Sequence, residues 1–309
     1  MKHTILGAGG SIGNALAFKL LENKEDVRLV SRSKLSIFGT EWVRADLSSY
    51  TETLESLKGT DIAYLCVGLP YDFTVWKELW PKIMKNTIDA CKEVDAKLIF
   101  FDNVYMYGNV SGKMIESTPY NPCSKKGELR AKIDTMLQNE IDHKNIDAII
   151  ARAADLYGPY ITNASVPYLM VFSPLLNSKR AQWLINSKLS HSYTYTLDCA
   201  NALYLLSNDN EAFNQVWHLP TFSPPINGKT MIEFAAKEIG VTPKFSVLPK
   251  VAVKVAGLFS KTIKETVEML YQNEFPYIFD SSKFNNHYNY TPKSYNDGIK
   301  ETIEFLINK

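Results

Sequence analysis

Residues 2–21 read KHTILGAGGSIGNALAFKLL, an apolar run followed at once by a glycine-rich turn and a helical pattern. Glycines at the end of a first strand permit a tight turn and let the backbone approach a pyrophosphate closely. The N-terminus of the next helix adds amide donors and a favourable dipole. This order of elements predicts a dinucleotide-binding fold. The alternative is a tight turn between a strand and a helix with no ligand.

The spacing of the glycines selects one of two registers. The common pattern G-x-G-x-x-G fails because Ile12 holds its last position, whereas Gly7, Gly10 and Gly13 recur at every third residue. The backbone that we expect to hold the pyrophosphate therefore comprises Gly7, Gly10, Ser11, Ile12 and Gly13.

The second apolar run, at residues 27–30, ends in Ser31-Arg32-Ser33-Lys34. Proteins that bind NAD usually place an acidic residue here, where it accepts a hydrogen bond from the ribose 2′-hydroxyl. Ser31 does not repel a 2′-phosphate, and the Arg32 guanidinium can pair with one bidentately. The alternative is that Arg32 is a solvated surface residue. The pattern favours NADP(H) over NAD(H) as the cofactor.

The first half of the chain alternates short apolar runs with longer amphipathic stretches. We expect strands at residues 3–6, 27–30, 62–67, 97–101 and 148–151, and helices at residues 12–21, 51–57, 76–94 and 125–142. This alternation predicts βαβ units, because parallel strands need crossover connections. The expected fold class is α/β, a Rossmann-type doubly wound parallel sheet with a smaller, mixed C-terminal substrate-binding region.

The rhythm breaks at about residue 160, where proline and aromatic residues become frequent. Helical patterns at residues 198–206 and 229–239 no longer alternate with strands, although a strand-like run at 215–219 ends at Pro220. Part of the second half is therefore expected to return to the sheet. We assign residues 1–160 and 191–220 to the Rossmann domain that binds NAD(P), and residues 161–190 and 221–309 to the substrate-binding region.

The bulk composition argues against several classes of protein. Of the 309 residues, 45% are hydrophobic and 22% charged, and 34 Lys and Arg nearly balance 33 Asp and Glu. A net charge of +1 argues against nucleic acid or an anionic membrane as the main partner, so we expect a small-molecule substrate. The four cysteines form no Cys-x-x-Cys pair and the histidines are scattered, so no metal site is expected.

The location and the assembly of the chain are inferred from its apolar stretches. The first apolar run is too short for a signal peptide, and no run approaches the length of a membrane span, so we expect a cytoplasmic protein. Trp76 and Trp80 lie one helical turn apart on an amphipathic pattern. Such a pair indicates either a core contact or the seam of a homodimer.

Further segments resemble the NAD(P)-dependent epimerase/dehydratase family of extended short-chain dehydrogenases/reductases, nearly from end to end. They are Ala45-Asp46-Leu47, Leu65-Cys66-Val67-Gly68, Asp102-Asn103-Val104-Tyr105-Met106-Tyr107-Gly108, Arg152-Ala153-Ala154-Asp155-Leu156-Tyr157-Gly158-Pro159, residues 191–200 and Asp280-Ser281-Ser282-Lys283. The resemblance implies that Asp46 meets the adenine of the cofactor. It also implies that Leu47, Cys66, Val67 and Gly68 lie beside the cofactor.

The resemblance fails at the residues that carry the family's proton transfer. Members normally have Tyr-x-x-x-Lys on a helix and a Ser or Thr from the earlier segment, and the tyrosine passes a proton to or from the substrate oxygen. Here Lys126, Arg130 and Asn103 stand at those positions. Tyr105 and Tyr107 are better candidates to replace the tyrosine than Tyr120, which precedes the helix at the wrong spacing.

Lys126 has two interpretations of equal weight. It could act as an acid or electrophile, with a pKa lowered by burial and by nearby Arg130, or it could only hold the ribose or phosphate of the cofactor. Arg130 cannot usefully deprotonate, so it can orient groups and stabilise charge but cannot be the base. We therefore expect Asn103, Tyr105, Lys126 and Arg130 to line the place where the nicotinamide meets its substrate.

Two functions fit these patterns. The first is an NADP(H)-dependent oxidoreductase or epimerase-like enzyme that acts on a small hydroxyl or carbonyl compound; the second is a catalytically silent NADP-binding sensor or interaction protein. In relatives that act on nucleotide-diphosphate sugars, arginines of the substrate region bind the diphosphate, and one of them stands where this chain has His191. Only Arg180 follows Arg152. We therefore expect UDP- and dTDP-sugars not to be substrates.

Overall fold

A computed structural model of the chain describes residues 1–161 and 165–308. Lys309 and residues 162–164, which fall in the predicted substrate-binding region, lie outside the described residues. The strands are β1 (Lys2–Leu6), β2 (Asp26–Ser31), β3 (Thr40–Arg44), β4 (Ile62–Leu65), β5 (Lys97–Asp102), β6 (Lys113–Met114), β7 (Ala148–Arg152), β8 (Asp155–Tyr157), β9 (Ala181–Leu184), β10 (Ser190–His191), β11 (Tyr193–Tyr195), β12 (Gln215–His218), β13 (Ile226–Asn227), β14 (Phe245–Leu248) and β15 (Ile278–Phe279).

The helices are α1 (Ser11–Glu22), α2 (Tyr50–Leu57), α3 (Phe73–Val94), α4 (Lys125–Asp142), α5 (Ser173–Leu176), α6 (Thr196–Ser207), α7 (Gly228–Ile239), α8 (Lys250–Ala256), α9 (Lys261–Val267), α10 (Ser282–Tyr288) and α11 (Tyr295–Ile307). Short 3-10 turns lie at Tyr105–Tyr107, Asn210–Ala212 and Leu270–Asn273, and a π-helix at Tyr168–Phe172.

Seven parallel strands form the central sheet, in the order β12-β7-β5-β4-β1-β2-β3. Helices α2, α3 and α4 cover one face of the sheet, and α1 and α6 cover the other. The chain runs from β1 out to β3 and then crosses back to β4, so the topological switch point lies between β1 and β4. Doubly wound sheets bind ligands at the carboxyl ends of the strands at such a point. The predicted α/β Rossmann-type sheet is confirmed.

The six strands and six helices expected from the sequence are all present, with ends that differ by at most three residues. The largest difference is at α3, which begins at Phe73 because the Asp72 carboxylate caps it by accepting from the Thr74 amide at 2.9 Å. Sequence analysis missed β3, whose side chains are half-buried or exposed and do not alternate. An edge strand of this kind lacks the apolar pattern on which the predictions depended.

The second half of the chain adds helices with their own apolar core, and short strands that form pairs, one of them with β6 of the first half. The pairs are β8 with β11, β10 with β13, β6 with β15 and β9 with β14. The core between them includes Phe172, Trp183 and Met231. As expected, β12 returns to the central sheet, and α6 packs against the face that α1 covers. The division of the chain into two regions stays a prediction.

Two further expectations concern the helices. In the described part of the chain, none is both long and apolar enough to span a bilayer. Trp76 and Trp80 are 6% and 2% exposed and lie in the core under α3, so the pair forms a core contact within the chain.

Candidate functional site

The glycine-rich turn joins β1 to α1 beside the switch point of the sheet. The Gly7 and Ala8 amides donate to the Val30 carbonyl oxygen at 3.0 and 3.1 Å, which ties the turn to the end of β2. Gly7 has a φ of +81°, and a Cβ atom there would lie 2.6 Å from the Cα atom of Val67. The turn therefore requires glycine at this position, because a side chain would collide with the backbone that follows β4.

The N-terminus of α1 is open. Gly10 is the N-cap residue, and no side chain caps this helix or adds an acidic group to its first turn. A Cβ atom on Gly10 would meet no atom within 4 Å, so the space in front of the helix is free. The first amides of a helix have no partner inside it, and they point along the positive end of the dipole. Room, free donors and favourable potential together fit the pyrophosphate of a dinucleotide.

The end of β2 carries the residues predicted to choose between NAD and NADP. The Ser31 hydroxyl accepts from Trp42 Nε1 at 2.9 Å and donates to the Ser33 carbonyl oxygen at 2.6 Å, so its single hydrogen is already used. The Arg32 side chain is exposed and forms no salt bridge within the described residues. Of the two, Arg32 is the one that is free to meet a phosphate.

Asp46 follows β3 at the same edge of the sheet. Its carboxylate accepts from the Ser48 amide and hydroxyl, at 2.9 and 2.8 Å. These hydrogen bonds lower the pKa of Asp46, and the positive charge of Arg32 lowers it further. The carboxylate is therefore ionised at neutral pH and lies near Arg32, where the ends of β2 and β3 meet.

The remaining residues predicted to contact the cofactor lie beside the same edge. Leu47 and Cys66 are buried at 7% and 8% exposure, and Val67 is half-buried against the glycine turn. A Cβ atom on Gly68 would meet nothing within 4 Å, so the chain after β4 has an open side there. The structure thus brings the predicted cofactor residues together, while their contacts with a cofactor stay predictions.

Asn103 and Tyr105 follow the end of β5. The Asn103 side-chain oxygen accepts from the Tyr105 amide at 2.9 Å, which closes a turn between the two residues. The Tyr105 ring stacks on Trp76, with ring centroids 6.5 Å apart. Burial raises the pKa of Tyr105, so the phenol is a neutral hydrogen-bond donor and not a base. The catalytic roles of both residues stay predictions.

Lys126 lies in the first turn of α4 with its side chain fully buried. Its Nζ atom forms salt bridges with Glu265 and Glu268, and it also donates to the Glu265 carbonyl oxygen at 3.0 Å. An ammonium group has three donors, and these contacts use all three. The two carboxylates belong to α9 and the residue just after it, so Lys126 fastens this helix to α4. Either predicted role, proton transfer or cofactor binding, would require release from these carboxylates.

Arg130 lies one turn further along α4 and is also buried. It forms a salt bridge with Asp102 at the end of β5, and its guanidinium lies 4.4 Å from the centroid of the Trp80 ring. Burial raises the pKa of Asp102 to about 6, and the charge of Arg130 opposes that rise. The Arg130 charge is thus directed to the core between α3 and β5, and the expected effect of Arg130 on Lys126 stays a prediction. The predicted role of Arg130 at the nicotinamide also stays a prediction.

Tyr107 and Tyr120 belong to a buried network around Arg152. The Arg152 guanidinium forms a salt bridge with Asp134 and hydrogen bonds with both phenols. The Tyr107 hydroxyl also lies 2.8 Å from His218 Nε2, and burial lowers the pKa of His218 to about 3. A neutral imidazole accepts this hydrogen bond. These contacts give Tyr107, Tyr120 and Arg152 a structural role in the network.

A second polar pair lies beyond the end of β7. The His191 Nε2 atom is 2.9 Å from Asp155 Oδ2, and the imidazole lies between the rings of Tyr193 and Tyr277. Sequence analysis treated His191 only as the replacement for an arginine, and Asp155 received no role. No local pattern could have joined the two, because 36 residues separate them in the chain.

Glu265 and Glu268 were also missed by sequence reasoning. They lie three residues apart, so they share one face of a helix and can converge on a single cation. That spacing was visible, but nothing in the sequence pointed to a lysine 139 residues earlier in the chain.

Residues 3–217 of the sequence match the model of the NAD dependent epimerase/dehydratase family. No curated protein matches the sequence significantly.

Solved structures with the same fold include several sugar-nucleotide enzymes. UDP-glucuronic acid 4-epimerase from Bacillus cereus, in complex with NAD, is 18% identical, with a TM-score of 0.81. The match covers 100% of this chain and 99% of the epimerase chain. UDP-glucose 4-epimerase from Thermus thermophilus, also with NAD, is 15% identical with a TM-score of 0.81 and covers 99% of each chain. The dTDP-glucose 4,6-dehydratase DesIV from Streptomyces venezuelae is 15% identical, with a TM-score of 0.81. The match covers 100% of this chain and 97% of the dehydratase chain. At these identities, the likeness shows the fold alone.

Proposed function

Because the chain belongs to the NAD dependent epimerase/dehydratase family, we propose that it is an NADP(H)-dependent oxidoreductase or epimerase-like enzyme. Its substrate in this proposal is a small hydroxyl or carbonyl compound. The observation that carries the proposal is the open N-terminus of α1 at the switch point of the sheet, where Gly10 leaves room for a pyrophosphate. When bound, the nicotinamide supplies hydride chemistry, and the protein supplies binding, orientation and proton transfer.

The preference for NADP rests on Arg32. Its guanidinium is exposed and unpaired among the described residues, at the end of the strand where the adenosine ribose of a Rossmann cofactor lies. NADPH should bind at least about tenfold more tightly than NADH, since one charge-assisted bidentate contact contributes roughly 1.5–3 kcal/mol.

The Arg32→Ala variant should lose most of this preference, because it removes the cation that pairs with the 2′-phosphate. Calorimetric titration of wild type and variant with NADPH and NADH measures the effect. Arg180→Ala is the matched control, since Arg180 is also exposed but lies just before β9, in the second half of the chain. Equal affinities of the wild-type protein for NADPH and NADH would exclude the assignment.

The substrate class rests on the absence of a free cation at position 191. His191 is buried, and its ring nitrogen is already paired with Asp155, so the pair offers a diphosphate no uncompensated positive charge. A small substrate with a hydroxyl or carbonyl group and little charge fits these surroundings better than a nucleotide sugar.

Thermal-shift measurements with NADP present should therefore show no stabilisation by UDP-glucose or dTDP-glucose. A panel of uncharged ketones and aldehydes should contain compounds that raise the melting temperature. The same panel, followed by NADPH absorbance, tests turnover. Stabilisation by a nucleotide sugar and by none of the carbonyl compounds would contradict this substrate class.

The second candidate function is a catalytically silent NADP-binding sensor. One observation favours it: Lys126 and Arg130, which stand at the family's catalytic positions, are both held in buried salt bridges. Binding of NADPH without turnover of any compound in the panel is the result expected of a sensor. Oxidation of NADPH by one of the compounds is the result expected of an enzyme.

A further inference from the structure

The His191 imidazole is packed between two aromatic rings. Its ring centroid lies 4.5 Å from that of Tyr193 and 4.3 Å from that of Tyr277, with interplanar angles of 25° and 16°. The backbone is fixed as well, because the Ser192 amide donates to the Tyr277 carbonyl oxygen at 2.9 Å. The imidazole is therefore held in one orientation, with Nε2 directed at Asp155.

Asp155 is the more accessible partner of this pair. Its side chain is 24% exposed, whereas that of His191 is 5% exposed. Only Oδ2 contacts the imidazole, and among the described residues no other hydrogen bond to the carboxylate is formed. Oδ1 is thus available to a ligand. A carboxylate with one oxygen oriented by a fixed imidazole and the other free has the arrangement of an acid–base pair.

The surroundings of Asp155 place it at the edge of the sheet where ligands bind. Tyr71 and Tyr105 lie in the segments that follow β4 and β5, and Asp155 opens β8 three residues after the end of β7. Burial raises the pKa of both phenols, and the negative charge of Asp155 raises each further. The same holds for Tyr271 and Tyr277. All four phenols are therefore neutral, and Tyr71 and Tyr105 belong to the segments that follow two adjacent parallel strands.

The other candidate groups at this edge are less suited to proton transfer. Lys126 has all its donors in use, Arg130 is paired in the core, and the phenol of Tyr105 stays protonated. Asp155 and His191 form an ionisable pair at this edge, and the Oδ1 atom of Asp155 is free to contact a ligand.

We propose that Asp155 is the group that exchanges a proton with the substrate oxygen, and that His191 is its positioning residue. The inference rests on the proposed function, because it needs a nicotinamide at the glycine turn. In the oxidative direction, the substrate O–H bond breaks and the pair takes the proton, while the substrate carbon would pass its hydride to the oxidised nicotinamide and the carbonyl forms. In the reductive direction, the carbonyl carbon would take the hydride back from the reduced nicotinamide, and the pair returns the proton to the oxygen. The proton belongs to the pair and not to one residue of it.

The pH dependence of cofactor binding tests this placement without a known substrate. NADP⁺ and NADPH carry the same phosphates and differ by one positive charge on the nicotinamide. Protonation of a pair beside that ring weakens NADP⁺ binding relative to NADPH. We therefore expect the ratio of the NADP⁺ and NADPH dissociation constants to be at least about threefold higher at about pH 5.5 than at about pH 8.5.

His191→Gln should make this ratio independent of pH between about pH 5.5 and 8.5, because it removes the imidazole from the pair. Asp155→Asn, which keeps the shape of the side chain, should also reduce the pH dependence of this ratio. It provides the test if His191→Gln fails to fold. His143→Gln is the matched control: His143 is exposed and caps the far end of α4, about 26 Å from Lys126 at 1.5 Å per residue. The control should retain the wild-type dependence.

Each outcome decides something. A higher ratio at pH 5.5 that disappears in His191→Gln supports the pair beside the nicotinamide. Binding of both cofactors with the same ratio at every pH overturns the pair but leaves the proposed function intact. Binding of neither cofactor overturns the proposed function, and the pair loses its role with it. With a carbonyl compound that is turned over, Asp155→Asn should lower kcat by about a hundredfold or more while NADPH affinity changes little.

Discussion

Replacement of Arg152 by methionine should lower the free energy of unfolding by about 3–5 kcal/mol, the cost of leaving a buried charge without its partner. Both Arg152 and Asp134 have fully buried side chains and form a salt bridge with each other. The variant leaves the Asp134 carboxylate in the core with the Tyr120 hydroxyl as its one partner among the described residues. It also removes the hydrogen bond that Tyr107 accepts from the guanidinium. Urea unfolding followed by circular dichroism measures the loss.

Two variants show whether the loss comes from the unpaired charge. Arg152→Met combined with Asp134→Leu removes both charges and should recover part of the stability, because neither is then left unpaired. Arg180→Met, at an exposed position, should change the free energy of unfolding by less than about 0.5 kcal/mol. A loss of under about 1 kcal/mol for Arg152→Met would show that this network contributes little to the fold.

The sequence predicted the central sheet well because its strands are buried on both faces. Strands such as β4 and β7 are buried at every residue, so they read as short apolar runs between helical patterns. The glycine turn was also predictable, since a strand that must turn sharply against the backbone near Val67 tolerates only glycine at Gly7. Both features depend on residues that are close together in the sequence, and helices and strands are predicted from such local patterns.

The polar contacts of the site could not be predicted in the same way. The partners of Lys126 lie more than a hundred residues later in the chain, and 36 residues separate Asp155 from His191. Arg130 was expected beside Lys126 because they share a helix, yet its guanidinium turns to Asp102 in the core. Pairings of this kind depend on how distant segments pack, and no spacing along the chain records them.

Replacement of Gly10 by aspartate should weaken NADPH binding by about a hundredfold or more, because at least two charge-assisted hydrogen bonds are lost. The added carboxylate would enter the open space before α1 and take the amide donors that the pyrophosphate needs. The fold itself should tolerate the change: Gly10 has a φ of −80°, which any residue adopts, and aspartate is a preferred N-cap. Thermal stability should therefore be equal to or above that of the wild type.

Gly10→Asn separates the effect of charge from that of size. Asparagine has nearly the same shape and also caps a helix, but it does not repel the phosphates. We expect it to bind NADPH more weakly than the wild type and about tenfold more tightly than Gly10→Asp, the difference that one charge-assisted contact makes. Equal binding by the two variants would indicate that the side chain acts by steric exclusion alone.

The most direct test is calorimetric titration of NADPH into the wild-type protein and into Gly10→Asp under the same conditions. We expect saturable binding of one NADPH per wild-type chain and an affinity about a hundredfold lower in the folded variant. Equal binding by both proteins would place the cofactor away from the glycine turn. Absence of saturable binding for NADPH, NADP⁺, NADH and NAD⁺ alike would contradict the claim that this chain binds a nicotinamide dinucleotide.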